Sequence, residues 1–317
     1  MAFRAVPAGA GGRRHAAADR AQRGRARRAQ GRGRHRPAVP PQWLDRRHAD
    51  PGQPRWRGRR GRRAGGLRIG LRGAGPPGLA ALEPSLSSRL VGAIHWRDPV
   101  NVSDPGAVAR GYAALFQQRG GILARGDART LESVSGGWRV RGATGPLEAR
   151  DVVVALGPWS PDVLRPLGYR IPMAVKRGYH QHFALEGGAA LSRPVADIDS
   201  GFVVSPMTLG LRLTTGAEFA PRDAAPTPVQ VARTRALAAQ LLPLGAAVEK
   251  TPWMGCRPCM PDMRPVIGPA PRHPGLWLAF GHAHHGFTLG PVTGKLLACL
   301  VTGQAPDMDP APYALNR

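Results

Sequence analysis

Arg257, Tyr179 and the histidines at 282, 284 and 285 are the side chains here whose types and settings suit chemistry on a small anionic molecule. Arginine suits a carboxylate because its planar fork donates two parallel hydrogen bonds. Arg257 stands in the run Gly255-Cys256-Arg257-Pro258, ahead of a Gly/His-rich stretch at 281–290. That stretch follows an apolar run of strand type, 276–280, and leads to Pro291, which is expected to open a helix through Cys299. Backbone amides at such a helix start present partial positive charge to an anion. Arg177, Tyr179 and His180 share another predicted strand, where alternation puts Arg177 and Tyr179 on one face and His180 on the other. Only one of these faces can meet a substrate. The competing readings are a surface ion pair for Arg257 and a half-buried strand tyrosine for Tyr179. Cys256 and Cys259 with His282 and His284 have the types of a zinc site, but a Pro-rich segment and a strand separate the two pairs, so no metal is assigned.

Two blocks carry a family resemblance. The first contains Gly255, Arg257, Pro258, Pro261, Asp262, Pro265, Ile267 and Gly268, then Gly281, His282, Gly286, Thr288, Leu289, Pro291, Thr293 and Gly294. The second, residues 151–180, has a buried-strand pattern, the turn Ala155-x-Gly157-x-Trp159-Ser160, and the strand Arg177-Gly178-Tyr179-His180. Together they resemble the D-amino acid oxidase/dehydrogenase superfamily, above all its bacterial D-amino acid dehydrogenases. The resemblance implies FAD as cofactor and oxidative deamination of a D-amino acid, or of a secondary amine such as D-proline or hydroxyproline, by hydride transfer to the flavin. It implies Arg257 as carboxylate anchor, Tyr179 as a group orienting the amine or capping the carboxylate, and His282 as a group that bonds the flavin or fixes its loop. It also implies flavin contacts from Ala155, Gly157, Trp159, Gly281, His282, Gly286, Phe287, Thr288 and Leu289. Dehydrogenase and oxidase both fit, with a quinone or oxygen as electron acceptor.

Charge is concentrated in the head. Residues 1–80 hold 21 Arg and 3 Asp, so +18 of the formal +25 lies there. This head lacks Lys, Glu, Ser, Thr, Asn, Tyr and Cys, and its Arg, Gly, Ala and Pro cannot bury enough apolar surface to offset ordering entropy. Disorder is expected over 1–78. Two other readings of the head are a basic nucleic-acid arm and the translation of a wrong reading frame in a GC-rich gene. Under the latter the chain is an inactive remnant. Three cysteines make no disulfide framework, and Arg13-Arg14 is followed by no apolar stretch of ~7–15 residues, so a cytoplasmic protein is expected, with peripheral attachment to the inner face of the membrane as a variant.

The elements that would position these residues alternate between helix and strand. Asp104-Pro105 starts a helix with Val108, Tyr112, Leu115 and Phe116 on one face, stopped at Gly120-Gly121. Strands are expected at 121–123, 128–134, 138–141 and 151–155, then at 175–185, 201–206 and 209–215, with a helix at 228–242. The fold class is therefore α/β, two-lobed: a discontinuous FAD-binding domain (79–170 and 251–317), Rossmann-like but incomplete, with an inserted, mostly antiparallel substrate-binding lobe (171–250). Gly73-Ala74-Gly75-Pro76-Pro77-Gly78 meets the bare G-x-G-x-x-G pattern, but 67–72 does not read as a buried strand, and two prolines remove amides that would hold a pyrophosphate. The first βαβ unit of a dinucleotide domain is not recognisable.

Overall fold

The computed structural model describes residues 71–87, 90 and 92–317, together with three short earlier strands. The expected disorder of the head falls mostly outside these residues. The early elements are β1 (Trp43–Arg46), β2 (Arg63–Ala64), β3 (Leu67–Arg68), β4 (Leu71–Ala74), α1 (Pro76–Leu82) and β5 (Ala93–Trp96). Next come α2 (Pro105–Gln118), β6 (Gly126–Val134), β7 (Gly137–Gly142), β8 (Gly145–Ala149), β9 (Val152–Val154) and α3 (Ser160–Leu164). The strands β10 (Ala174–Leu185), β11 (Val195–Asp197), β12 (Phe202–Met207), β13 (Gly210–Thr214) and β14 (Glu218–Phe219) precede α4 (Val229–Ala238). The chain closes with β15 (Leu244–Ala247), β16 (Trp253–Cys259), β17 (Val266–Pro269), β18 (Leu276–Phe280) and α5 (Gly286–Val301).

A ten-stranded sheet runs β14-β10-β13-β12-β11-β1-β5-β4, with β15 and β16 also paired to β10. Antiparallel pairing dominates it, β1 with β11 being the parallel exception. One face is apolar: Phe183, Phe202, Val204, Leu211 and Leu213 pack with Ala238, Leu241 and Leu242 at the end of α4. A second sheet, β17-β18-β9, holds the parallel pair β18–β9, and β6-β7-β8 form a separate meander. The core of this second unit joins Val154, Leu164, Tyr169, Val266, Leu276, Leu278 and Phe280.

The structure departs from the expected elements at several points. Residues 121–123 form no strand, and Ile122 is 85% exposed, since no neighbouring strand pairs there. The helix expected at 228–242 ends at Ala238, where Leu242 N–H closes onto the Ala238 carbonyl at 3.0 Å and Pro243 disfavours helical backbone before it. α5 begins at Gly286, five positions before Pro291, which sits inside it and deprives only the Phe287 carbonyl of its amide. A strand, β4, does precede the G-x-G-x-x-G pattern and a helix follows it. That strand pairs antiparallel with β5, and the helix has seven residues beginning Pro76-Pro77. Leu79, Leu86, Leu90 and Ala93 join the core of the large sheet, so residues 79–93 pack with the lobe expected to start at 171.

Candidate active site at the junction of the two sheets

The large sheet has one open, polar face, and the register identifies it. Lys176 on β10 pairs with Arg257 on β16, His180 with Trp253 on β16 and Thr214 on β13, and His182 with Arg212. Directly paired residues share a face, so Lys176, Gly178, His180 and His182 lie on the same side as Trp253, Arg257 and Arg212. His180 stacks on Trp253 with ring centroids 4.7 Å apart, and Trp253 is 59% exposed.

Arg257 lies flat across β10. Its Nη1 donates to the Arg177 carbonyl at 3.4 Å and the Gly216 carbonyl at 3.3 Å, and no carboxylate pairs with it among the described residues. Partial burial pushes its pKa down from the usual value, the mark of a cation that has given up water without gaining an anion. This conformation depends on Gly178, where an added Cβ would come within 2.1 Å of the Arg257 Nη2.

Tyr179 and Arg177 face the other way. The Tyr179 hydroxyl donates to Glu218 Oε2 at 2.8 Å and accepts from Thr227 N–H at 2.9 Å, with the residue 1% exposed. Arg177, also buried, pairs with Glu218 at 2.7 Å and donates to the Ala225 carbonyl at 3.0 Å. Arg177, Thr227 and Tyr179 together hold the Glu218 carboxyl down at about 2. The structure therefore does not bring Tyr179 to Arg257; it makes Tyr179 part of a buried clasp between β10 and 221–227.

The two motif blocks meet because β9 and β18 are parallel. Leu278 pairs with Val154, so both strands deliver their following segments to the same end. After β9 come Ala155, Gly157 (φ +54) and Trp159; after β18 come Gly281 (φ +82), His282 and then α5. Ligands of parallel sheets bind beyond these carboxyl ends. The 281–285 loop is tied to β16 by a Cys259–His282 bridge and by Ala283 N–H donating to Pro258 at 2.8 Å, which sets it beside Arg257. Gly286, Phe287 and Thr288 occupy the exposed first turn of α5, and Leu289 follows them. Their amides precede the first helical bond, from Leu289 N–H to the His285 carbonyl at 2.8 Å. His282 Nε2 meets Thr293 Oγ1 at 2.9 Å, which pins the loop to α5. Burial, then His285, lowers the His282 pKa to about 4; His284 falls to about 4 from burial, His285 and Arg257. Both imidazoles are neutral at neutral pH.

Sequence reasoning missed Gly178 and Arg212. The adjacency of Gly178 to Arg177 and Tyr179 on one strand gave no sign that a distant arginine crosses it. Among the described residues, no group of three or more metal-ligating side chains converges, and no helix is long and apolar enough to cross a membrane.

These features fit a flavin ring in part. An exposed start of a 16-residue helix, beyond the carboxyl ends of two parallel strands, suits an anionic flavin edge. The Gly73–Gly78 pattern does not suit its pyrophosphate, for want of amides at Pro76 and Pro77. A model of FAD dependent oxidoreductases matches residues 8–300. The chain belongs to the FAD-dependent oxidoreductase family. The match begins well before residue 151, where the motif blocks begin. Glycine oxidase of Pseudomonas aeruginosa is 33% identical over 239 residues, covering 74% of this chain and 65% of that protein. D-amino acid dehydrogenase of Paramagnetospirillum magneticum is 32% identical over 238 residues, covering 72% and 56%. The chain thus spans less than two thirds of the length of these relatives. Glycine oxidase from Geobacillus kaustophilus superposes with a TM-score of 0.75 at 22% identity, over 95% of this chain and 82% of that one, and shows the shared fold.

Proposed function

We propose that this FAD-dependent oxidoreductase deaminates a D-amino acid, or a secondary amine such as D-proline or hydroxyproline. Arg257 carries the reading: a half-buried guanidinium on the open sheet face, with carbonyl partners only, set beside the 281–285 loop. The Nε and Nη2 donors that remain suit a carboxylate, and a carboxylate held there fixes the amine-bearing carbon near the loop. When bound, FAD supplies the hydride acceptor. Ala155, Gly157 and Trp159 on one side, and Gly281, His282, Gly286, Phe287, Thr288 and Leu289 on the other, are the residues that would hold its ring. His282, neutral and bonded to Thr293, positions the loop and is not the base.

The test is an absorbance spectrum of the purified chain with and without added FAD, followed by dye reduction with D-amino acids. Arg257→Lys should raise KM at least about tenfold while leaving flavin content unchanged, because lysine keeps the charge but loses the paired donors. Unchanged kinetics in an active preparation would remove Arg257 from the site. A second reading, a flavin-poor remnant, is favoured by β9: among the described strands it pairs with β18 alone, and Val153 is 42% exposed. A chain that takes up no FAD at any concentration would select it.

A further inference from the structure

Arg212 is a second cation on the face that carries Arg257. It projects from β13 opposite His182 and Ser205, and its Nε is buried with no hydrogen-bond partner among the described residues. No carboxylate pairs with it there: Glu249, the nearby acid, bonds the His182 amide at 2.8 Å with one oxygen and His182 Nδ1 with the other. A guanidinium with one nitrogen buried and unbonded and no carboxylate beside it is a cation without a charge partner, which an anion meeting its terminal nitrogens would supply. The spacing is informative. The Arg257 guanidinium rests over Gly178, while the backbone of Arg212 stands level with His182, about 13 Å further along β10 at ~3.3 Å per residue. Two carboxyl carbons of an extended five-carbon diacid lie roughly 5 Å apart, and a C–O bond of ~1.2 Å with a hydrogen bond of ~2.9 Å at each end brings the greatest span between donors to about 13 Å. His180 lies between the two levels, stacked on Trp253.

We infer that Arg212 forms a second anion-binding point and makes this chain selective for amino acids that carry a second carboxylate. The inference rests on the reading of Arg257 as the anchor of the first. Isothermal titration calorimetry of the full chain with glutarate and with butyrate separates the two claims. Glutarate should bind at least about tenfold more tightly than butyrate, as one extra charge-assisted contact implies. Arg212→Met should erase that preference, leave butyrate binding intact, and not lower the melting temperature, since the buried unbonded nitrogen is gone. Arg212→Lys should restore part of the preference. Equal affinity of the parent chain for the two acids overturns the second subsite and leaves Arg257 standing. Butyrate binding that is indifferent to Arg257→Lys overturns the Arg257 reading, and absence of binding by both acids overturns both. A lower melting temperature with unchanged selectivity in Arg212→Met would assign Arg212 a packing role instead.

Discussion

Gly178 controls where the Arg257 guanidinium rests, because only a residue without Cβ lets it lie across β10. The obstructing atoms would be the far end of a flexible side chain, so Gly178→Ala should fold normally yet push Arg257 aside. KM is expected to rise severalfold with unchanged flavin content and melting temperature; an unaltered KM would mean that Arg257 does not act from its present position. The site histidines make a separate pH prediction. His180, His282 and His284 titrate at about 4 here, burial being the main cause, against about 6.5 in an unfolded chain. The unfolded state therefore binds more protons below pH 6.5, and stability falls as pH drops toward 4. Between pH 6.5 and 5, where ordinary carboxylates stay ionised, the melting temperature should already decline. A flat profile there would show that these rings are not held neutral.

Two elements depend on contacts that no local pattern announces. The Glu218 clasp ties β10 to β14 and to 221–227, so Glu218→Ala, which strands Arg177 in the interior, should cost about 3 kcal/mol in denaturant unfolding. Tyr179→Phe removes one hydroxyl from the same clasp and should cost about 1 kcal/mol without changing KM. A raised KM with intact stability would return Tyr179 to the substrate. At α5, Gly286 has ordinary backbone and an added Cβ would meet only His282 Cβ, at 3.6 Å. Gly286→Val should keep the fold and lower flavin occupancy, because the branched side chain occupies the approach to the first-turn amides. Equal occupancy in the parent and the variant would place the flavin elsewhere.

Among its described residues the molecule has an uncovered flank. β9 is a parallel strand with a free edge among the described strands, and parallel sheets are ordinarily covered and continued on both sides. α2 buries none of its residues, and Tyr112, Phe116, Ile122 and Leu123 are exposed. Relatives matched over 64–65% of their own length have room for further strands. FAD is therefore expected to bind weakly and to be lost on gel filtration. Translating the gene in its other two frames over residues 1–78 tests whether a buried strand, G-x-G-x-x-G and a helix are encoded there; a restored frame should then recover tight FAD. If neither frame contains the pattern, the Arg-rich head is the gene's own product and a basic arm regains weight.

The family, its cofactor and most of the strands were legible from residues 81 to 317, because motif spacing and period-two alternation are local properties. The run 276–280 is a strand with those limits, and Asp104 caps α2 as its type suggests, accepting from Ala107 N–H at 2.8 Å. Alternation also established that Tyr179 and His180 point to opposite faces. Which face carries the site was decided by tertiary structure alone, since it depends on α4 covering the apolar side of the sheet and leaving Trp253 exposed on the other. The helix start at Gly286 was likewise hidden: a single proline forfeits one internal bond, and the turn built by Gly281 and Ala283 outweighed that loss. Arg212 and Gly178 acquire meaning only from register, which pairs strands far apart in the chain and therefore leaves no signature in either one.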